Sequence, residues 1–230
     1  MSGPLPAASG WWSEELVSLL REAQDRHFVG PTSLSEQLDH SAAFAELVAD
    51  RLRQARGASV TRETLLVDLG SGGGLPGLVL AVAFPSCMIA LVEGSTRRAA
   101  WLTSAVERLG LAAHVVVLGE RAELLGRSER WRERAAIVTA RAFGPPAVVA
   151  ECAAPLLLPG GSLVVSEPPD AGPESSLTRR WPETGLSGLG FGPAEPTLSK
   201  DRHFVTVPLL APCPDRFPRR VGVPSKRPIF

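Results

Sequence analysis

"LLVDLGSGGGLPG", residues 65–77, decides the fold. An apolar run broken only by Asp68 enters four glycines among the next five residues, then Pro76 and a fresh apolar pattern. A strand that turns through glycines into a helix opens an α/β sheet, and in such sheets ligands collect at the carboxyl ends of the strands. Glycine at that turn lets backbone approach a ligand with no Cβ in the way. Gly70, Gly72 and Gly74 are therefore the candidate cradle, with Leu75 entering the helix. So many glycines cost too much backbone entropy to serve a bare turn.

The spacing of Gly72, Gly74 and Gly77 fits a dinucleotide fingerprint, and the same letters fit the first loop of an S-adenosylmethionine site. An acid at the end of the second strand binds ribose hydroxyls in either case. Glu93 in "IALVEGSTRR" is that acid and does not discriminate. Asp68 leans toward S-adenosylmethionine. A buried carboxylate can orient the ammonium of a methionine moiety, but it would repel a pyrophosphate.

Outward from the loop, short apolar runs at 65–69, 88–92, 114–118, 135–140 and 162–166 alternate with helical stretches at about 75–83, 96–109, 121–132 and 145–157. That alternation predicts βαβ units and a mostly parallel sheet. Later runs near 188–191 and 203–210 are expected to close the sheet as antiparallel strands. Two amphipathic helices, about 11–27 and 35–56, precede the first strand, and "PPDAGPESS" (168–176) reads as a linker. The expected organisation is an N-terminal helical cap (1–60), a Rossmann-like domain (61–211) and a basic, proline-rich tail (212–230) packed on it. The five prolines in "APCPDRFPRRVGVPSKRPIF" forbid a long regular element there.

Bulk composition narrows the classes. No run is long and apolar enough to span a membrane, and "MSGPLPAASG" lacks the charged and apolar regions of a secretory signal. Cys87, Cys152 and Cys213 lie far apart, as do the four histidines, so no disulfide framework or metal-ligand spacing is present. A reducing cytoplasm and a metal-free monomer are the simplest expectations. Net charge is zero but uneven: the tail from Pro212 holds Arg216, Arg219, Arg220, Lys226 and Arg227 against Asp215. Those five cations can pair with RNA phosphates, or form a solvated terminus.

The fourth strand leaves through "VTARAF", placing Arg141 where base amino-methyltransferases carry Asn-Pro-Pro or Asp-Pro-Pro. Together with "VDLGSGGGLPGLVLA", "LVEGSTRRAAWL", "LLLPGGSLV" and "FPRRVGVPSKRPI", this segment resembles the RsmG (GidB) family. The likeness covers residues 60–166 and the tail, with a weaker patch in "QLDHSAAFAEL". It implies a seven-stranded class I S-adenosylmethionine-dependent methyltransferase fold and methyl transfer to N7 of a guanine in 16S ribosomal RNA, free or in the small-subunit particle.

The resemblance also implies that Gly70 and Leu75 contact the cofactor, that Ala122 and Glu123 frame its adenine, and that Arg141, at the catalytic rim, lines the pocket near the methyl donor as the candidate catalytic residue. Structural alternatives stay open: Glu123 as a helix-start charge, and Arg141 as an ion-pair partner of Asp68 or another acid. Guanine N7 needs no deprotonation, so such an enzyme requires no acid/base pair. Pyrimidine C5 chemistry would instead need a nucleophilic cysteine, and Cys87 and Cys152 read as core fillers.

Two features depart from the family. Glu167 follows the fifth strand where a lysine is common, and would repel a phosphate. "GPTS" (30–33) replaces an Asn-Leu-Thr type segment. These departures motivate the alternatives of a diverged relative with another RNA or small-molecule substrate, or a non-catalytic S-adenosylmethionine-binding RNA-associated protein.

Overall fold

The computed structural model describes residues 12–56, 63–168 and 174–230. The expected boundary at residue 60, the opening "MSGPLPAASG" and the middle of the 168–176 linker lie outside the described residues. Among the described residues, no helix is long and apolar enough to cross a membrane. Tertiary contacts divide the chain into two compact units, meeting in sequence at Gly119 and Glu120.

The first unit begins with α1 (Glu14–Asp25) and α2 (Leu34–Arg56). Ser13 caps α1 by accepting the Leu16 N–H at 3.2 Å, and Glu14 and Glu15 suit the positive end of the helix dipole. The apolar stripe Leu38, Phe44, Leu47, Val48 and Leu52 on α2 is buried as its periodicity predicts. There follow β1 (Leu65–Leu69), α3 (Gly77–Ala83), β2 (Met88–Val92), α4 (Thr96–Arg108) and β3 (Val115–Leu118). The strands pair in parallel, Val67 opposite Ala90 and Ala90 opposite Val116. β1 and β2 are buried along nearly their whole length, and strands covered on both faces read as continuous apolar runs. α1 and α2 belong to this compact unit. Trp101 of α4 donates its indole N–H to Glu22 at 3.2 Å, and Arg108 donates to Glu15 and Glu22 at 3.0 and 2.9 Å.

The second unit holds α5 (Ala122–Leu125), β4 (Ala135–Ala140), α6 (Pro146–Ala153) with a 3-10 turn after it, and β5 (Leu157–Ser166). It continues with α7 (Glu174–Arg180), α8 (Glu183–Ser187), β6 (Glu195–Ser199), β7 (Arg202–Pro208) and α9 (Val223–Lys226). β4 and β5 are parallel, while β7 runs antiparallel to both β5 and β6. The seven strands are ordered β3-β2-β1-β4-β5-β7-β6 in one sheet.

Two expected elements are corrected here. The helix expected over 121–132 ends after one turn, at Gly126. A Cβ at that position would lie 3.0 Å from Pro218 of the tail, so the tail packs where the helix would have continued. The closing strand expected at 188–191 lies instead at Glu195–Ser199; only a single bridge, Phe191 to Leu209, forms at the apolar run. β6 is a largely exposed edge strand containing Pro196, a residue edges tolerate because its missing N–H faces no partner.

Candidate functional site

In the first unit the glycine loop leaves β1 and folds back over the end of β2. Gly70 and Ser71 both donate their N–H to the Val92 carbonyl, at 2.8 and 3.0 Å, and Gly74 donates to Ser71 at 2.6 Å. Gly72 and Gly74 have φ of 53° and 94°, a left-handed backbone that a side chain would strain. Asp68 is buried at the end of β1, and its backbone carbonyl accepts the Ser71 hydroxyl at 3.0 Å. Leu75 is buried as the loop enters the helix.

Glu93 lies 21 residues beyond Gly72, yet the fold brings its carboxylate onto this loop. Oε2 accepts the Gly72 N–H at 3.0 Å, while Oε1 accepts the Ser95 N–H at 2.7 Å and Arg98 Nη2 at 2.8 Å. Burial pushes this carboxyl up; the bonds from Arg98, Ser95 and Gly72 and the Arg98 charge outweigh burial and hold it below its ordinary 4.5. An ionised acceptor with capacity left on Oε2, beside bare glycine backbone, suits the vicinal hydroxyls of a ribose. The residues present therefore fit the nucleoside part of S-adenosylmethionine. Arg98 and the Ser95 N–H were not anticipated from sequence.

In the second unit Ala122 and Glu123 open α5 and are buried. The Glu123 carboxylate is engaged within its own unit: Arg121 donates from Nη2 at 2.8 Å and Nε at 3.2 Å, and the Gly222 N–H of the tail donates at 3.0 Å. Burial raises this carboxyl too, and Arg121 with Gly222 brings it below the usual range. Arg141 directly follows β4, with a half-buried side chain. Cys87 and Cys152 are buried in the core, as sequence predicts.

The tail is fastened along its length. Arg132 donates to the carbonyls of Cys213, Phe217 and Gly126 at 2.6, 2.9 and 3.2 Å. Arg216, Arg220, Lys226 and Arg227 are exposed, with the Arg216 guanidinium over the Phe217 ring at 4.9 Å. Arg219 differs from the other four tail cations in being paired with a buried acid. Its Nε and Nη2 fork the Glu151 carboxylate at 2.9 and 2.6 Å, its N–H adds a bond at 2.8 Å, and Glu151 is fully buried. Glu167 corrects the sequence reading. Its side chain, 3% exposed, accepts Arg180 Nε at 2.6 Å and the Trp181 indole N–H at 2.9 Å. Turned inward and paired, it presents no carboxylate to a phosphate, and the departure that favoured another substrate loses its force.

Two solved structures share this fold. One is a 16S rRNA (adenine(1408)-N(1))-methyltransferase variant from Catenulisporales acidiphilia, with a TM-score of 0.56 and 17% identity over 72% of this chain and 92% of that one. The other is a SAM-dependent O-methyltransferase from Thermotoga maritima, with a TM-score of 0.55 and 13% identity over 84% of this chain and 71% of that one. The sheet order, with antiparallel β7 lying between β5 and β6, defines a class I S-adenosylmethionine-dependent methyltransferase fold, with the glycine loop and Glu93 at the ends of β1 and β2. Within that class, the family GidB, rRNA small subunit methyltransferase G, matches residues 18–168, and the chain belongs to it. Relatives named ribosomal RNA small subunit methyltransferase G include one from Chloroflexus aggregans, 37% identical over 83% of this chain and 80% of its own length. Another, from Parasynechococcus marenigrum, is 30% identical over 100% of this chain and 97% of its own.

Proposed function

We propose that this enzyme transfers a methyl group from S-adenosylmethionine to N7 of a guanine in 16S ribosomal RNA. The observation that carries the donor reading over a dinucleotide is Asp68, buried at the end of β1 beside the glycine turn, while Glu93, accepting the Gly72 N–H at 3.0 Å, sets an ionised carboxylate there for the ribose. Gly70, Gly72, Gly74 and Leu75 are assigned to the donor's amino-acid and nucleoside backbone, Asp68 to its ammonium and Glu93 to its ribose. The assignments of Ala122 and Glu123 to the adenine, and of Arg141 to the methyl-donor side, rest on the family resemblance in sequence. For Glu123 the backbone is the reading part, since its carboxylate serves Arg121 and Gly222.

When bound, S-adenosylmethionine supplies an electrophilic methyl group. Guanine N7 carries an in-plane lone pair and no proton, so the protein need not create the nucleophile. Its task is to hold the base in line, exclude water and tolerate the cationic product, which is positioning and electrostatics. This chemistry calls for no metal. Arg216, Arg220, Lys226 and Arg227 are the cations proposed to hold RNA phosphates. The reading makes the protein a cytoplasmic monomer that meets its substrate as ribosomal RNA or the small-subunit particle. The test is deletion of the gene followed by mapping of N7-methylguanosine in 16S RNA. Loss of one such mark, restored by the wild-type gene, is expected; retention of every mark would defeat the ribosomal assignment.

A further inference from the structure

The turn between α1 and α2, residues 27–33, lies against the glycine loop and is itself tightly held. His27, at φ 58°, reverses the chain, and the Phe28 N–H returns to the Ala23 carbonyl at 2.8 Å. The Gln24 side-chain amide donates to the carbonyls of Gly30 and Thr32, both at 2.8 Å. The Phe28 and Trp101 rings meet edge to face at 6.0 Å between centroids, and the Arg97 guanidinium lies 5.1 Å from the Phe28 centroid. The turn reaches the glycine loop through Phe28 and Val29. A Cβ on Gly73 would lie 3.0 Å from both the carbonyl carbon and oxygen of Phe28, and would overlap Val29 Cγ2 outright. A Cβ on Gly72 would sit 3.4 Å from the Phe28 oxygen.

The turn at Gly72 and Gly73 is thus fixed from two sides, by Glu93 through the Gly72 N–H and by Phe28–Val29 through contact with both glycines. Glycine has the most freedom to lose on ordering, and a ligand that must order its own cradle binds more weakly. Valine, stiff about χ1, is suited to act as a fixed stop.

We infer that Val29 is a positioning residue for the donor: packed on Gly73, it holds the glycine turn in the geometry that lets the Gly72 N–H keep Glu93 aimed at the ribose. This rests on the donor reading of the loop given above. Val29 touches neither donor nor RNA in this scheme; it acts through the glycines.

The test uses the full chain with Val29→Ala, Val29→Ile and, at the other end of the turn, Gln24→Ala. S-adenosylhomocysteine affinity is read by calorimetry, and KM for S-adenosylmethionine and for small-subunit particles by initial rates. Val29→Ala and Gln24→Ala are expected to weaken S-adenosylhomocysteine about five- to tenfold. KM for the donor should rise in parallel, KM for the particle should stay put, and Val29→Ile should restore affinity. A merely structural role would lower the melting temperature without splitting the two KM values. Val29→Ala binding within twofold of wild type, or Val29→Ile failing as badly as Val29→Ala, overturns the inference. Should Val29→Ala not fold, Gln24→Ala alone decides by the same criterion. If the wild type itself fails to bind S-adenosylhomocysteine, the donor reading falls, and this inference with it; the two failures are therefore distinct.

Discussion

Arg219→Ala is expected to cost far more than the loss of an ordinary tail arginine. Glu151 lies in the apolar helix α6 with no solvent exposure, and Arg219 supplies its countercharge through a fork at 2.6–3.1 Å. Truncation leaves the Arg219 N–H, at 2.8 Å, to solvate a buried anion alone. At an effective dielectric near 20, unit charges roughly 4 Å apart attract by about 4 kcal/mol. Removing one partner of a buried pair typically costs about 3–5 kcal/mol. The remaining N–H donor places the expected loss near the lower end, about 3 kcal/mol. With a urea slope of about 2–3 kcal/mol per molar, the unfolding midpoint should fall by roughly 1–1.5 M. The double variant Glu151→Ala/Arg219→Ala removes the stranded charge and should recover part of the loss. Arg220→Ala, at an exposed site, should leave the midpoint alone and instead reduce the salt slope of RNA binding by about 0.7–0.9. An Arg219→Ala midpoint indistinguishable from wild type, or a double variant no better than the single, would refute the structural assignment and return Arg219 to the RNA.

Three further outcomes follow from the same geometry. Glu93 has a folded pKa below its ordinary 4.5, so the stability it contributes is present above that value and lost only as pH falls through the lower folded one. S-adenosylhomocysteine affinity should be flat from neutral pH to about 5, and Glu93→Gln should weaken it about 10- to 100-fold; a decline already under way at about pH 6 contradicts the assignment. Burial pushes the Cys213 thiol up to about 11 and that of Cys152 well above the usual thiol range. A thiol reagent at about pH 8 should label neither until urea unfolds the chain, since only the thiolate reacts; rapid native labelling of Cys213 would be inconsistent with its burial. Glu167→Ala should destabilise the chain by about 1.5–3 kcal/mol through the lost bonds to Arg180 and Trp181, with a change in tryptophan fluorescence. An unchanged midpoint would mean that this pairing does not anchor α7.

What the sequence makes legible divides along a physical line. β1, β2, β4 and the second half of β5 can be read because strands buried on both faces must be apolar throughout, β3 because its short run is apolar as well, and the glycine loop because its turn tolerates little else. β6 escapes because an exposed edge carries no such pattern. Its turn residues Lys200 and Asp201, at φ 50° and 57°, also lack the glycine or asparagine that usually marks a hairpin. α5 is overdrawn in sequence because helical periodicity over 121–132 says nothing of Pro218, which reaches Gly126 from far along the chain.

The site divides the same way. Glu93 can be placed because a strand-end acid is a local signal, whereas its retaining group Arg98 depends on how α4 starts. Glu151 and Glu167 carry the sharper lesson. A single acid inside "PAVVAECAAP" has to be either exposed or paired, since an unpaired buried charge is too costly to keep. Counting the tail as five free cations, and Glu167 as a repulsive anion, ignores the same requirement twice. With Arg219 paired to Glu151 and Arg180 to Glu167, the tail keeps four exposed cations and Glu167 presents no free carboxylate.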